Sequence, residues 1–226
     1  MYDVKPNLII GFHGCDANVR DALLRNPNDY KISQNPFDWL GHGLYFWENN
    51  YDRALQWAND KKRRGEIKNP AVVGAVLYLG YCCDLLDTRY ITLLSRYFTM
   101  MEESDTMLGR VLPQNTDLSH DRHKDKILRH LDCAVIEFMH AKMYNQINAD
   151  ENAHGFSELK VFDSTRGVFT EGGPAFPGAA LFEKSHIQIC VRNPDVIKGF
   201  FMPRKEVNLV RRKDFKQPPR SLTTAW

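Results

Sequence analysis

The chain has 226 residues, of which 43% are hydrophobic and 12% aromatic, so it can bury the core of one large domain. Its 30 Lys and Arg residues and 28 Asp and Glu residues leave a net charge of +2, which demands neither a nucleic-acid partner nor an anionic membrane. The five cysteines lack the spacing of a disulfide framework, and no stretch approaches the ~20 apolar residues that span a bilayer. We therefore expect a soluble, cytoplasmic protein with no membrane partner.

Hydrophobic periodicity predicts short strands interspersed with amphipathic helices along the chain. The predicted strands are 8–12, 44–47, 72–79, 159–162, 167–169, 185–191 and 200–202. The predicted helices are 17–25, 51–64, 88–101 and 121–144. Asp16 and either Asn49 or Asn50 are expected to be helix N-caps, and Gly65 a C-terminal stop. Because the two kinds of element do not alternate strictly, we expect an α+β fold.

The domain organisation is expected to be simple, because neither repeats nor a low-complexity linker divides the chain. We predict one domain over residues 1–226, with a mainly helical insertion at about 85–150 and a basic, extended tail at about 211–226. Two basic runs, 61–64 and 211–213, are compatible with a surface that faces nucleic acid. Such runs are more often solvated surface, so they favour this partner only modestly.

Several common catalytic motifs are absent from the sequence. It has no G-x-G-x-x-G, no P-loop and no G-x-S-x-G elbow. His120, His123 and His130 are accompanied by no cysteine or carboxylate pattern, so no metal site is predicted. Two polar positions in apolar surroundings remain, His13 in Phe-His-Gly and Tyr45 in Gly-Leu-Tyr-Phe-Trp. Taken alone, each is more simply explained as part of the structure.

Taken in order, these segments resemble a known family. Phe-His-Gly, an amphipathic helix, Gly-His-Gly-Leu-Tyr-Phe and a helix ending in Ala-Leu-Gln-Trp-Ala are similar to the H-Y branch of the ADP-ribosyltransferases. That branch includes the poly(ADP-ribose) polymerase catalytic domains and diphtheria-type toxins, and residues 183–191 resemble its third strand. The resemblance implies an ADP-ribosyltransferase-like split β-sandwich core with flanking helices and an inserted helical segment, and NAD as the substrate.

The resemblance also implies roles for residues that would hold NAD. His13 would hydrogen-bond the adenosine-side ribose, and the backbone of Gly14 would meet the nicotinamide amide. Tyr45 would stack on the nicotinamide ring, with Gly43 preceding it and His186 as a further neighbour of the cofactor. Cleavage of the nicotinamide–ribose bond builds oxocarbenium character, so the site also needs accepting or negative groups near the ribose.

The third-strand position departs from the family's pattern. His186 and Gln188 should share one face of their strand, and Gln188 stands where the family usually has a glutamate. An amide accepts a hydrogen bond from a ribose hydroxyl but stabilises an oxocarbenium ion less than a carboxylate does. We therefore consider Gln188 first as the catalytic residue, then Glu171 and Glu183 in the preceding loop, with Glu48 as a further candidate.

The function implied is mono-ADP-ribosyl transfer from NAD to a macromolecule, with a nucleic-acid base (RNA or DNA) favoured over protein. The loop over residues 171–182 lies where the family meets its acceptor, and Phe176 in it would be a stacking residue or an apolar anchor. Arg166 would contact a pyrophosphate or the acceptor, or else be an ordinary surface arginine. Compact bacterial members often act as toxins in phage defence or competition, so a neutralising antitoxin is a further expected partner. The alternatives are a protein-targeting transferase, an NAD glycohydrolase and a non-catalytic module that keeps the NAD pocket.

Overall fold

A computed structural model describes residues 8–119 and 121–205. Its strands are β1 (Ile9–Asp16), β2 (Leu44–Glu48), β3 (Pro70–Leu77), β4 (Cys82–Asp84), β5 (Asn115–Thr116), β6 (Leu128–Arg129), β7 (Ser164–Phe169), β8 (His186–Val191) and β9 (Ile197–Phe201). Its helices are α1 (Ala17–Arg25), α2 (Tyr51–Arg63), α3 (Thr88–Met107) and α4 (His130–His154), with a 3-10 turn at Pro194–Val196. The structure confirms the α+β class.

Seven of the strands form one mixed sheet in the order β4-β7-β8-β2-β1-β3-β9, while β5 and β6 make a separate two-stranded ribbon. The pair β4–β7 is parallel and the other neighbours are antiparallel. The ladder between β2 and β1 is the shortest in the sheet, since only two residue pairs, Gly11↔Glu48 and Phe12↔Trp47, join them. The sheet therefore consists of two well-paired parts held together at its centre by a short ladder.

Alternation along the strands gives the sheet two faces with different cover. On one face, which we call the α1 face, Cys15 and Val73 pack against Leu23 of α1. On the other, the α2 face, Trp47 and Val72 pack against Ala54 of α2. Tyr45, Gln188 and Cys190 project to the α2 face because they share the strand parity or cross-strand pairing of Trp47.

Local capping explains why the first two helices begin where the sequence predicts. The Asp16 side chain accepts a hydrogen bond from the N–H of Asn18 and begins α1. Asn50, one of the two candidates, accepts from the N–H of Arg53 and begins α2. Gly65, with a φ of 77°, follows the end of α2 as predicted. These elements depend on contacts within three residues of one another.

The fourth helix differs from the prediction, because it begins at His130 instead of residue 121 and continues to His154. The residues before it form an irregular loop in which Asp121 accepts hydrogen bonds from the N–H groups of His123 and Asp125. Carboxylate bonds of this kind compete with helical backbone pairing. The periodic apolar pattern of the sequence was therefore correct for the core of the helix and wrong for its start.

Two strand predictions are also corrected. β1 runs on to Asp16, so His13 lies inside the strand and not at its end. Residues 159–162 are not a strand; Phe162 there is buried, and its ring stacks on Tyr81 at a centroid distance of 4.5 Å. A bulky aromatic side chain can anchor an irregular segment by burial alone.

The predicted tail at 211–226 and the run at 211–213 lie outside the described residues, as does His120. Within the described ranges, none of the helices combines the length and apolar character needed to cross a bilayer. All five cysteines are buried.

A buried ionic cluster on the α1 face ties three strands together. Arg166 of β7 is only 9% exposed, which rules out the interpretation as an ordinary surface arginine. Its Nε and Nη2 donate to the two carboxylate oxygens of Glu48 at 2.5 and 2.9 Å, and its Nη1 donates to Asp84 at 3.1 and 3.2 Å. The guanidinium thus binds two carboxylates, and both it and Glu48 serve to hold the strands together.

Removing the Arg166 cation should destabilise the folded protein strongly. Arg166→Leu removes the guanidinium that lies between the carboxylates of Asp84 and Glu48 in a buried setting, and we expect the free energy of unfolding to fall by about 3–5 kcal/mol. Urea denaturation followed by circular dichroism measures the change. The control is Arg63→Ala, which breaks an exposed pair with Asp60 and should cost less than about 1 kcal/mol. Equal effects of the two variants would contradict the structural role assigned to Arg166.

Candidate functional site

The centre of the sheet contains an opening between β1 and β2. The carbonyl of Ile10 accepts a hydrogen bond from the N–H of Asn49, so the even-numbered residues of β1 direct their backbone groups toward β2. The ladder stops at Phe12↔Trp47, and the next hydrogen-bonded pair in this register would be Gly14 with Tyr45. Gly14 therefore directs its N–H and C=O toward β2 at a point beyond the end of the ladder.

The side chain of His13 projects from β1 on the α1 face, as its cross-strand partner Val73 does, and crosses this opening to β2. Its Nδ1 lies 2.8 Å from the carbonyl oxygen of Tyr45. A carbonyl oxygen only accepts, so Nδ1 carries the proton and Nε2 is left with a lone pair. Burial lowers the pKa of His13 to about 4, against a smaller opposing effect of the Tyr45 carbonyl. The imidazole is thus neutral at pH 7 and can accept a hydrogen bond from a ligand hydroxyl.

The two predicted site glycines serve different purposes. A Cβ on Gly14 would lie 2.1 Å from the carbonyl oxygen of Ala54, so the absence of a side chain lets α2 rest directly over the opening. Gly43, by contrast, donates its N–H to Ser33 at 3.1 Å and accepts from the N–H of Ser33 at 2.9 Å. Its backbone groups are occupied, and its role is to let β2 approach Cys190 of β8.

Tyr45 is held rigidly at the edge of the opening. Its hydroxyl accepts from the N–H of Leu40 at 2.9 Å and donates to the carbonyl of Gly41 at 2.8 Å. The ring packs against a cluster that includes Trp39 and Cys190. Burial raises the pKa of the Tyr45 hydroxyl well above its ordinary value, so it stays neutral and serves as an anchor for the ring.

Gln188 and His186 lie on the same α2 face, in a chain of hydrogen bonds. Nδ1 of His186 donates to the carbonyl of Lys184 at 2.6 Å, which leaves Nε2 as an acceptor for the Gln188 amide N–H at 3.1 Å. Oε1 of Gln188 then accepts from Nε1 of Trp39 at 2.6 Å. This order fixes the amide orientation, with one N–H and one lone pair of Gln188 still available to a ligand.

The strand register sets how far these groups lie from Tyr45. Tyr45 pairs with Cys190 and Trp47 pairs with Gln188, so Gln188 lies ~7 Å along the strand from the point opposite Tyr45. His186 lies a further ~7 Å along, at the start of β8. Of the two predicted third-strand residues, Gln188 is accordingly the nearer to the opening, while Cys190 lies directly opposite Tyr45.

Glu171 is the candidate carboxylate that joins this group. It forms an ion pair with Arg53 of α2, with side-chain exposures of 16% and 11% respectively. Burial raises the pKa of Glu171 above its ordinary value, and Arg53 and Lys184 oppose that rise. Glu183 is exposed on the loop and is not brought into the group. Glu48 faces the other side of the sheet, where it binds Arg166.

Two features of the site were not predicted from the sequence: a group of aromatic rings beside His186, and an arginine that lies over these rings. The Phe169 ring stacks on His186 at a centroid distance of 5.6 Å and meets Trp39 edge-to-face at 5.2 Å. The Arg129 guanidinium lies over Phe169 at 4.1 Å and over Trp39 at 5.3 Å. Trp39 comes from a loop and Arg129 from the residue before α4, and neither position carries a periodic signal.

Among the buried side-chain donors that have no hydrogen-bond partner within the described residues, two lie close to His186 on this side of the sheet. They are Nε1 of Trp47, a side chain only 3% exposed, and Nε of Arg53. The Trp47 ring lies 6.2 Å from His186, and Arg53 contributes to lowering the pKa of His186. Buried donors without partners are costly, so they favour a ligand that supplies acceptor oxygens here.

Other features of the structure do not mark a second site of the same kind. Across the described residues, no three His, Cys, Asp or Glu side chains converge as a metal would require. A surface pocket of about 470 Å³ lies around His154 and Phe156, past the end of α4, and contains none of the predicted site residues.

Comparison with protein-family models, with curated proteins and with solved structures finds no match to this chain.

The hydrogen-bond chain through Gln188 makes a prediction about His186. Burial lowers the pKa of His186 to about 4, so the folded ring resists protonation. Gln188→Glu would place a carboxylate against Nε2 and should raise this pKa by about one unit or more. Titration of the histidine ring signals by NMR measures it, with His13 as an internal control that should not move.

The sign of the linked stability follows from the same values. A histidine whose pKa is lowered on folding takes up its proton first in the unfolded chain, so stability falls as pH drops from about 6.5 toward 4. Raising the His186 pKa in Gln188→Glu should weaken that fall. A His186 pKa that is the same in both proteins would refute the contact between the two side chains.

Proposed function

We propose that this chain is an NAD-dependent mono-ADP-ribosyltransferase whose donor site is the opening between β1 and β2. The observation that carries the proposal is that the β1–β2 ladder ends early. The His13 imidazole donates to the Tyr45 carbonyl, which would otherwise accept from the N–H of Gly14. A backbone N–H and C=O side by side match the C=O and N–H of a carboxamide, which is the polar group of nicotinamide.

The surrounding residues support the same donor. The neutral Nε2 of His13 is suited to accept from a ribose hydroxyl. The Tyr45 ring, anchored through its hydroxyl, is suited to stack on a flat heteroaromatic ring. The donors without partners on Trp47 and Arg53 are suited to meet oxygens of the same ligand.

In the reaction, the bond between nicotinamide nitrogen and ribose C1′ breaks, and nicotinamide leaves with the electron pair as a neutral pyridine. The acceptor's nucleophilic atom forms a new bond to C1′ and loses a proton. Positive charge develops on the ribose between these events, and groups that accept or oppose it stabilise the transition state. We assign the orientation of a ribose hydroxyl to Gln188 and the compensating charge to Glu171.

The acceptor in this proposal is a macromolecule, with nucleic acid favoured. The role as a bacterial toxin and the neutralising partner rest on the family resemblance alone. A non-catalytic NAD-binding module is the second candidate, because the third-strand position carries an amide and Glu171 is paired with Arg53.

Incubation with NAD labelled in its ADP-ribose part, together with separate pools of RNA, DNA and protein, tests the proposal. We expect label to become attached to nucleic acid. Label on protein would redirect the acceptor, and free ADP-ribose without labelled macromolecule would indicate a glycohydrolase. Intact NAD in the presence of measurable NAD binding would favour the binding module, and intact NAD without binding would overturn the donor site.

Two site variants separate the assigned roles. Glu171→Gln keeps the shape of the side chain and removes its charge, so turnover should fall by about 100-fold with little change in NAD affinity. Gln188→Ala removes a hydrogen-bonding group and should lower turnover by about tenfold, at roughly 1.4 kcal/mol. Glu103→Ala, an exposed carboxylate on α3, is the control and should behave as the parent protein. If Glu171→Gln turned over as fast as this control, the assignment of the charge would be wrong.

A further inference from the structure

The loop that precedes β8 is an ordered hairpin, which we call the flap, covering residues 171–184. Backbone bonds cross it from Ala175 N to the Leu181 carbonyl at 2.8 Å and from Lys184 N to the Glu171 carbonyl at 3.0 Å. Its base includes Glu171, the proposed charged residue of the site. Its outer part presents Phe176, 60% exposed, and Leu181, 69% exposed, to solvent. An aromatic ring is thus held in the open on a structured support.

A second segment, residues 121–126, which we call the basic loop, lies against the flap. Asp125 accepts a hydrogen bond from the Gly172 N–H at 2.7 Å. The His123 ring also lies so close to Gly173 that a Cβ there would come within 2.3 Å of it. The two segments therefore form one continuous surface beside the site.

The shape of the basic loop turns its cations outward. Its aspartates bind backbone N–H groups: Asp121 accepts from His123 and Asp125, and the preceding Asp117 accepts from Lys126 at 2.8 Å. Arg122, Lys124 and Lys126 are exposed, and within the described residues no carboxylate forms an ion pair with them. Lys124 and Lys126 adopt left-handed φ values of 56° and 49°, which non-glycine residues rarely adopt.

The cations of the basic run at residues 61–64, in contrast to those of the basic loop, contact aromatic and acidic side chains. Lys61 and Arg64 lie over the Trp57 ring at 5.7 and 5.1 Å, while Arg63 pairs with Asp60 and Arg64 with Glu66. These cations are engaged with groups of the same helix or its end. The basic loop, by contrast, places three exposed cations beside the proposed site.

We infer that the flap and the basic loop together receive the acceptor, and that this acceptor is single-stranded nucleic acid. The inference rests on the proposed function and names its substrate. Cations that lack carboxylate partners match a phosphate backbone, and an exposed aromatic ring stacks on unpaired bases. A duplex would satisfy the cations but keep its bases stacked away from Phe176. A strand lying on this surface would bring a base to the Glu171 side of the site.

The test is the binding of fluorescent single-stranded RNA and DNA to the full chain without NAD, measured by anisotropy over a range of salt concentrations. The charge-reversed variant is Arg122→Glu/Lys124→Glu/Lys126→Glu. We expect affinity to fall at least about tenfold and the salt dependence to weaken, since about 0.7 ion is released per single-strand phosphate contact. The RNA and DNA arms identify the preferred sugar.

A control of equal net charge change is Arg25→Glu/Lys142→Glu/Lys160→Glu, whose cations are exposed on other surfaces. It should bind strands far better than the loop variant does. Phe176→Ala should weaken binding by about fivefold or more through lost stacking, whereas Leu181→Ala, on the same flap, removes no ring and should not. Thermal melts confirm that each variant is folded.

Equal weakening by the two triple variants, equal affinity for duplex and single strand, or no binding of any strand would overturn the inference. Because NAD is absent, these outcomes are independent of the proposed chemistry. If the loop variant still labelled nucleic acid with NAD as the parent protein does, the inference would be wrong while the proposed function would stand. If the protein bound single-stranded nucleic acid through the basic loop but neither bound nor consumed NAD, the proposed function would be wrong while the inference about nucleic-acid binding would stand.

Discussion

The hydrogen bond from the His13 imidazole to the Tyr45 carbonyl determines how the two parts of the sheet are joined. In a continued antiparallel ladder that carbonyl would face the N–H of Gly14. The His13 imidazole donates to this carbonyl instead. The pairing of β1 with β2 therefore ends after two residue pairs. The sheet stays continuous, but its centre is closed by an imidazole and not by backbone.

The opening matters because both of its borders are fixed from outside. On one side, α2 rests on Gly14 so closely that only glycine fits. On the other, the hydroxyl of Tyr45 is bonded to the loop before β2, and that loop is held by Glu137 of α4, which accepts from the N–H of His42 at 2.8 Å. Preorganised borders of this kind lower the cost of ordering a ligand. Helix α4 holds the loop before β2 and thus also fixes the position of Tyr45.

Charge is distributed unequally between the two faces of the sheet. On the α1 face, Arg166 is matched by two carboxylates. On the α2 face, Arg53 is matched by Glu171 alone, and Arg129 lies over aromatic rings with Asp132 3.7 Å away. The less fully compensated cations lie beside the proposed site, although the whole chain is nearly neutral.

The sequence predicts those features that depend on neighbours in the chain. The caps at Asp16 and Asn50 act over two or three residues, and their helices begin where expected. The alternation of His186 and Gln188 on one face also follows from strand geometry alone. By contrast, the bond from Trp39 to Gln188 joins residues 149 positions apart. No local pattern encodes such a contact, and the identity of Arg166 as a buried residue depends on partners 82 and 118 positions away.

The strand β4 went unpredicted because it has only three residues and gains its order from a distant partner. It is also the strand whose parallel pairing with β7 needs a crossover, and the segment expected to be a helical insertion, with α3 and α4, supplies it. Closing a loop of 82 residues costs more chain entropy than forming the nearby hairpins. We therefore expect β4 to join the sheet later than the strands of the nearby hairpins do, and the contact of Asp84 with Arg166 to form with it.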